Sequence, residues 1–282
     1  MIIKRILKAL KNPEKIIPFI RNSYAPIVAK KPQDSKFTFS DLFIWRCGNN
    51  WKTTYYLFPY IGLLSKKEEL LNIGACKSRL VILSNDGNFL AESKIEFEPI
   101  RKSKLNLADY IPSSISSDKY GTFMIFHENI LRKEILNGGY ITDRGYTSYG
   151  FGSSNTLSYV HGNLDAVSGK YSKNGIEELT YFKSTILKRS FQLQYLFTPI
   201  NSYEIAITNP TRKSHKVCLN FFNNQGETFK SIEIELSTLG VRIVQLPSFE
   251  SNFLISIRSN LPMARPLIFK SNNQKFVDVF HG

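Results

Sequence analysis

Cysteine is scarce. Three occur in 282 residues, Cys47, Cys76 and Cys218, an odd number at wide spacing with no C-x-x-C pair. That excludes a disulfide scaffold, a zinc ribbon and a dithiol redox motif, and it reads as free thiols in a reducing compartment. No apolar run approaches the ~18 residues that span a bilayer as a helix. The N-terminus lacks the uninterrupted apolar core of a secretory signal, because Lys and Arg recur every few residues. No N-x-[ST] acceptor with x other than Pro occurs, which fits a bacterial or cytosolic setting.

The short signatures of catalysis are missing too. H-x-H does not occur. H-E-x-x-H fails after His127-Glu128, where Asn129, Ile130 and Leu131 follow. G-x-S-x-G is absent. Gly150-Phe151-Gly152 begins a phosphate-loop pattern, but Asn155 stands in place of its third glycine. These absences favour a chain without catalysis.

Aromatics and charge are what the chain does have. Aromatic residues make up 13% and hydrophobic residues 42%. With abundant Ile, Val and Thr they favour strands over helices. The net charge is +14, and half of it lies in residues 1–31, where Lys4, Arg5, Lys8, Lys11, Lys15, Arg21, Lys30 and Lys31 face one acid, Glu14. The remaining body is only mildly basic, which argues against a general nucleic-acid footprint.

Residues 1–36 read as a leader and linker. Ile2, Ile3, Ile6, Leu7 and Leu10 fall on one helical face, and Lys4, Arg5, Lys8 and Lys11 on the other. Asn12-Pro13 breaks the pattern, and a second segment gathers Ile16, Ile17 and Ile20. A basic amphipathic helix of this kind suits an anionic membrane surface. The same pattern also fits a helix docked on its own domain or a cleaved transit segment.

The remainder reads as short strands. Trp51–Phe58, Leu80–Leu83, Lys94–Glu98 and Thr122–Phe126 carry β patterns, and Asn85-Asp86-Gly87 is a hairpin turn. Tyr203–Thr208, Val217–Phe222, Ile232–Leu236, Val241–Leu246 and Phe253–Ile257 repeat the series. Leu80–Gly87 (L-V-I-L-S-N-D-G) lies over Leu219–Gly226 (L-N-F-F-N-N-Q-G) at an offset of 139, which also sets Ile95 on Ile234 and Leu107 on Leu246. The offset falls to 120 where Val160-His161-Gly162 meets Phe280-His281-Gly282, so the first copy carries an insertion near 131–141. A repeat at this scale decides the fold. The expected fold is all-β: two tandem β-sandwich repeats, immunoglobulin-like or jelly-roll-like, at 37–162 and 191–282, joined by a connector at 163–190 and preceded by the basic helix.

Two groups of residues are candidates for chemistry. His127, His161 and His281 stand at strand ends, where convergence with a carboxylate such as Asp143 would suit a divalent metal. On an enzymatic reading, a metal-assisted hydrolase or transferase would use His127, His161, Asp143 and Arg144 on envelope polysaccharide. The plainer reading makes the histidines structural, each tied to backbone, with no cofactor. The second group is the stretch 143–155, rich in Gly, Ser and Tyr. Tyr146, Tyr149 and Phe151 offer aromatic faces, and Arg144 and Asn155 offer directional hydrogen bonds. Sugar rings, with apolar faces and hydroxyl edges, fit such a set. The combined expectation is a non-catalytic, cytoplasmic protein, peripheral to the membrane, that binds or organises glycan or envelope components.

Overall fold

The structure is a computed structural model. It describes residues 37–48, 50–57, 76–97, 103–113, 120–127, 145–152, 157–162, 167–172, 175–180, 184–261, 265–272 and 275–282. The leader helix and the insertion near 131–141 lie outside the described residues.

The described residues are all-β, and every pairing among them is antiparallel. In order the strands are β1 (Phe37–Ser40), β2 (Phe43–Arg46), β3 (Trp51–Leu57), β4 (Cys76–Ser84), β5 (Phe89–Phe97), β6 (Ser103–Asn106), β7 (Tyr120–His127), β8 (Tyr146–Phe151) and β9 (Ser158–His161). Then follow β10 (Val167–Ser172), β11 (Gly175–Thr180), β12 (Arg189–Gln192), β13 (Ser202–Thr208), β14 (His215–Phe222), β15 (Thr228–Leu236), β16 (Val241–Gln245), β17 (Leu254–Ser259), β18 (Leu267–Asn272) and β19 (Lys275–His281). A 3-10 turn, Leu107–Tyr110, follows β6.

Sheet A is β1-β10-β11. Sheet B is β2-β7-β4-β5, and sheet C is β6-β3-β8-β9. Sheet D is β12-β17-β14-β15, and sheet E is β16-β13-β18-β19. Adding ten to each strand number of B and C gives D and E, so the strand order is the same in both halves. The two hairpins compared in the sequence are equivalent to the level of the turn. Gly87 N donates to Ser84 O and Gly226 N to Asn223 O, both at 3.0 Å. Each ladder then slips by one residue, at Ile82/Leu83 and at Phe221/Phe222.

Alternation places the cores. In β14, Val217, Leu219 and Phe221 are buried while the residues between them reach outward. They meet Tyr203, Ile205, Ile257 and Ile268 between sheets D and E. Sheets B and C enclose Phe43, Trp45, Tyr55, Leu80, Ile82, Leu105 and Phe123. Trp45 is fully buried, and its indole N–H donates to the Leu83 carbonyl at 2.9 Å. The opposite face of sheet B buries Leu42, Val81, Met124 and Phe126, with Leu179 of sheet A packed against them. Residues 163–190, expected as a connector, thus contribute a hairpin that pairs with β1.

The halves are joined by buried contacts. Ile44, Tyr149 and Val160 of the first half pack on Ala206, Val241, Leu267, Phe269 and Val279 of the second. Arg46 makes a two-pronged ion pair with Glu204 at 2.6 and 3.0 Å, and its guanidinium lies 3.9 Å from the centre of the Trp51 ring. Val241 N donates to Asn85 O at 2.8 Å, and Arg242 pairs with Asp86. Leu239 holds a left-handed φ of 56°. That conformation is unfavourable for a branched residue. Asn209 holds it in place by accepting from Leu239 N at 2.8 Å and donating to Gly240 O at 3.0 Å. In return the Leu239 side chain fills the face of sheet B, and its carbonyl accepts from Thr122 Oγ1 at 2.6 Å.

Candidate binding face

The stretch 143–155 is not a loop across its middle. Tyr146–Phe151 is a central strand of sheet C, paired with β3 on one side and β9 on the other. Gly and Ser tolerate this position because neighbours on both sides satisfy their backbone groups. The pleat then divides the side chains by parity. Thr147, Tyr149 and Phe151 turn inward, and Tyr146, Ser148 and Gly150 turn outward.

This division turns two of the expected ligand contacts inward. Tyr149 is fully buried, with its hydroxyl donating to the Ile44 carbonyl at 2.7 Å and its ring edge-on to Phe269 at 5.2 Å. Burial pushes its phenol up. Phe151 packs against Trp51, with ring centres 4.9 Å apart, beside the junction of the halves. Both residues are packing groups. Asp143, Arg144 and Asn155 lie outside the described residues, as does the side chain of His127. The backbone of His127 ends β7 opposite Ser78.

The outward residues make a face that the sequence did not assemble. Strand register sets Lys104, Tyr56, Tyr146 and His161 in one row across the four strands of sheet C. Asn106, Thr54, Ser148 and Tyr159 form the next row, and Lys52 with Gly150 the third. Directly opposed residues share a face. Tyr56 and Tyr159 sit on strands about 10 Å apart, with β8 between them. Their ring centres are nevertheless 5.5 Å apart. The rings therefore lean together over Ser148, which is 1% exposed. A hydrogen bond with Tyr56 pushes the Tyr159 phenol up. Tyr56 is 6% exposed and Tyr159 48%, so of the two it is Tyr159 that offers an aromatic surface to solvent. Tyr56, Lys52 and Lys104 escaped the sequence reading. The signal available was the Tyr55-Tyr56 pair, of which one ring must face outward in any strand.

The row ends on a histidine pair. The rings of His161 and His281 lie 4.6 Å apart, although they come from different halves. His161 Nδ1 donates to Gly162 O at 2.8 Å, and His281 Nε2 donates to His161 O at 3.1 Å. Because both acceptors are carbonyls, each of those nitrogens carries the proton. His281 Nδ1 is buried and has no partner among the described residues. Burial, with Arg265 and His161 nearby, depresses His281 to about 4. Among the described residues no three His, Cys, Asp or Glu side chains gather as metal ligands would. His215 is half-buried at the start of β14, and it bonds Ser184 Oγ at 2.8 Å and Thr211 Oγ1 at 2.9 Å. Cys47 and Cys218 are free thiols, and burial pushes Cys47 up.

No protein-family model matches the sequence, and neither does any curated protein. Among solved structures, a β-glucuronidase from glycoside hydrolase family 2 aligns with 89% of this chain and 24% of its own, at 7% identity and a TM-score of 0.18. A glycosyl hydrolase family 2 member from Bacteroides cellulosilyticus covers 85% of this chain and 25% of its own, at 7% identity and a TM-score of 0.14. The VP2 subviral particle of infectious bursal disease virus covers 94% of this chain and 75% of its own, at 12% identity and a TM-score of 0.17. The chain thus spans about a quarter of the length of the two glycoside hydrolases. Similarity at these scores is below that of a shared fold.

Proposed function

We propose that this chain is a non-catalytic β-sandwich protein that binds glycan on the outer face of sheet C. The observation that carries the reading is the exposed ring of Tyr159, supported from below by buried Tyr56, set beside Tyr146 and flanked by Lys52, Lys104, Asn106 and Thr54. Stacked rings give a sugar's C–H face an apolar platform. The surrounding amide, hydroxyl and ammonium groups supply hydrogen bonds to its edge. Arg144 and Asn155, next in the chain to this face, extend it on this reading.

The two halves act as tandem sandwiches, 37–162 and 191–282, with 163–190 as a connector, and their matching strand order supports this. The leader holds the protein at an anionic membrane surface, as its opposed apolar and basic faces support. Glycan-array binding by the full chain tests the main reading. Tyr146→Ala and Tyr159→Ala should each lower affinity about tenfold, which is the loss of one stacked ring. Unchanged binding in both variants, or no binding by the parent chain, overturns the reading. In the same preparation, removing residues 1–36 should abolish liposome flotation and leave array binding intact.

A further inference from the structure

The two halves also meet along a seam of two edge strands. β9 is the last strand of sheet C and β19 the last strand of sheet E, and no backbone ladder joins them among the described residues. Side chains tie them instead. Ser158 Oγ accepts from Val279 N at 2.9 Å and donates to the Asp278 carboxylate. Further along both strands, His281 Nε2 donates to His161 O at 3.1 Å, and the two rings lie 4.6 Å apart. Ser158 with Asp278 and His161 with His281 are both 120 positions apart, so the strands run side by side in the same direction. Val160 of one strand and Val279 of the other are buried in the apolar contact that joins the halves.

Protons bear on this seam through His281. Its Nδ1 is buried with no partner among the described residues, so a proton added there meets no acceptor. Burial, Arg265 and His161 together depress the ring to about 4. The carbonyl of His161, which accepts from Nε2, offsets this only in part. Around the pair stand Asp278 on β19, Lys270 of β18 opposite Asp278, and Tyr146 of β8 opposite His161. Tyr195 lies ring to ring with Phe280, and Asp41 is buried against Gly162. Asp278 is already committed to Ser158 Oγ and to Val279 N. The charges that weigh on His281 are therefore basic ones.

We infer that this seam is a proton-operated joint: charging the histidine pair parts β9 from β19 while both sandwiches stay folded. Each half keeps a core of its own, around Ile205, Leu219 and Phe221 in one and around Trp45, Tyr55 and Leu80 in the other. The further ties between the halves, Arg46 with Glu204 and Asn85 with Val241, lie on other strands and keep the halves attached when the seam parts. Opening returns His281 to solvent and to its ordinary value of 6.5. A ring that titrates at 6.5 when open and at about 4 when closed binds its proton preferentially in the open form. The open population therefore rises about 30-fold on going from pH 7.5 to pH 5.0.

Amide hydrogen exchange of the full chain, corrected for the intrinsic effect of pH on exchange, reads the opening. Amides of β9 and β19 should lose protection about 30-fold between pH 7.5 and pH 5.0. Low concentrations of urea should barely change their rates, because a local opening exposes little surface. Amides of β14 and β17, inside sheet D, should stay about tenfold or more better protected at both pH values. Equal protection and equal urea dependence at the seam and in sheet D would mean that only global unfolding occurs, which overturns the joint. Seam protection that does not change with pH overturns it as well. His281→Gln should flatten the pH dependence at the seam, and Arg265→Gln, which takes away a neighbouring positive charge, should shrink it. The second variant decides alone if the first does not fold. An undiminished pH dependence in the folded variants overturns the assignment to His281.

Discussion

At the scale of single residues, the histidines show how one side-chain type divides by environment. His161 and His281 end equivalent strands, and each donates to a carbonyl through one ring nitrogen. Their sequence spacing made a metal site an expectation; in the fold the two rings stack at 4.6 Å, each with one nitrogen on backbone. His281 also carries a pH consequence. Its pKa in the folded chain is depressed to about 4, against an ordinary value of 6.5. The unfolded chain therefore binds the extra proton first as pH falls. Stability contributed by the neutral ring is fully present above about pH 6.5 and is lost between there and about pH 4. The loss is about 2–3 kcal/mol for a ring that keeps partial solvent contact. Urea unfolding at pH 7.5 and at pH 4.5 measures it, and His281→Gln should shrink the difference by about that amount. An equal pH effect in parent and variant would show that the ring is not the responsible group.

At the scale of elements, the two equivalent hairpins differ in what surrounds them. Gly87 has φ +78° and Gly226 has φ +80°, so each turn needs a left-handed residue. A β-carbon on Gly226 would meet nothing within 4 Å, whereas one on Gly87 would stand 1.9 Å from the Thr238 carbonyl oxygen. The first hairpin is therefore wedged against the second half, and the second hairpin points into solvent. Gly226→Ala should cost about 1–2 kcal/mol, the conformational penalty alone. Gly87→Ala should cost markedly more, because backbone of the other half has to retreat. Thermal unfolding of the pair checks this, and equal melting temperatures would refute the wedge. The Asn-Asp-Gly signal showed the turn in the sequence, but nothing local distinguishes a turn that docks from one that does not.

At the scale of the molecule, the halves are held by polar ties within an apolar contact. Arg46 and Glu204 stand 158 positions apart in sequence, and their side chains are only 11% and 25% exposed. Stripping one partner from such a pair strands a charge. Arg46→Met should destabilise the chain by about 3–5 kcal/mol, and the double change with Glu204→Leu should recover most of that. Chemical unfolding of the two single variants and the double variant closes the cycle. A loss below about 1 kcal/mol in Arg46→Met would mean that the apolar contact alone joins the halves. Tyr149, buried between those same halves, illustrates the same dependence: its aromatic character was visible, but its direction was not.

The sequence by itself determined that the chain is β-rich, where its turns fall, and that the same order of strands occurs twice. Those properties follow from period-two alternation and turn chemistry, which are local. It also brought Tyr146 forward as an aromatic surface, though grouped with Tyr149 and Phe151. Only the tertiary structure decided which rings face outward, that Lys104, Tyr56, Tyr146 and His161 share a row, and that His161 meets His281. The physical reason is register. A shift of one residue in any pairing exchanges the two faces of a strand. Register in sheet C is set by contacts between residues far apart in sequence, such as Ser148 with Thr54 across 94 positions.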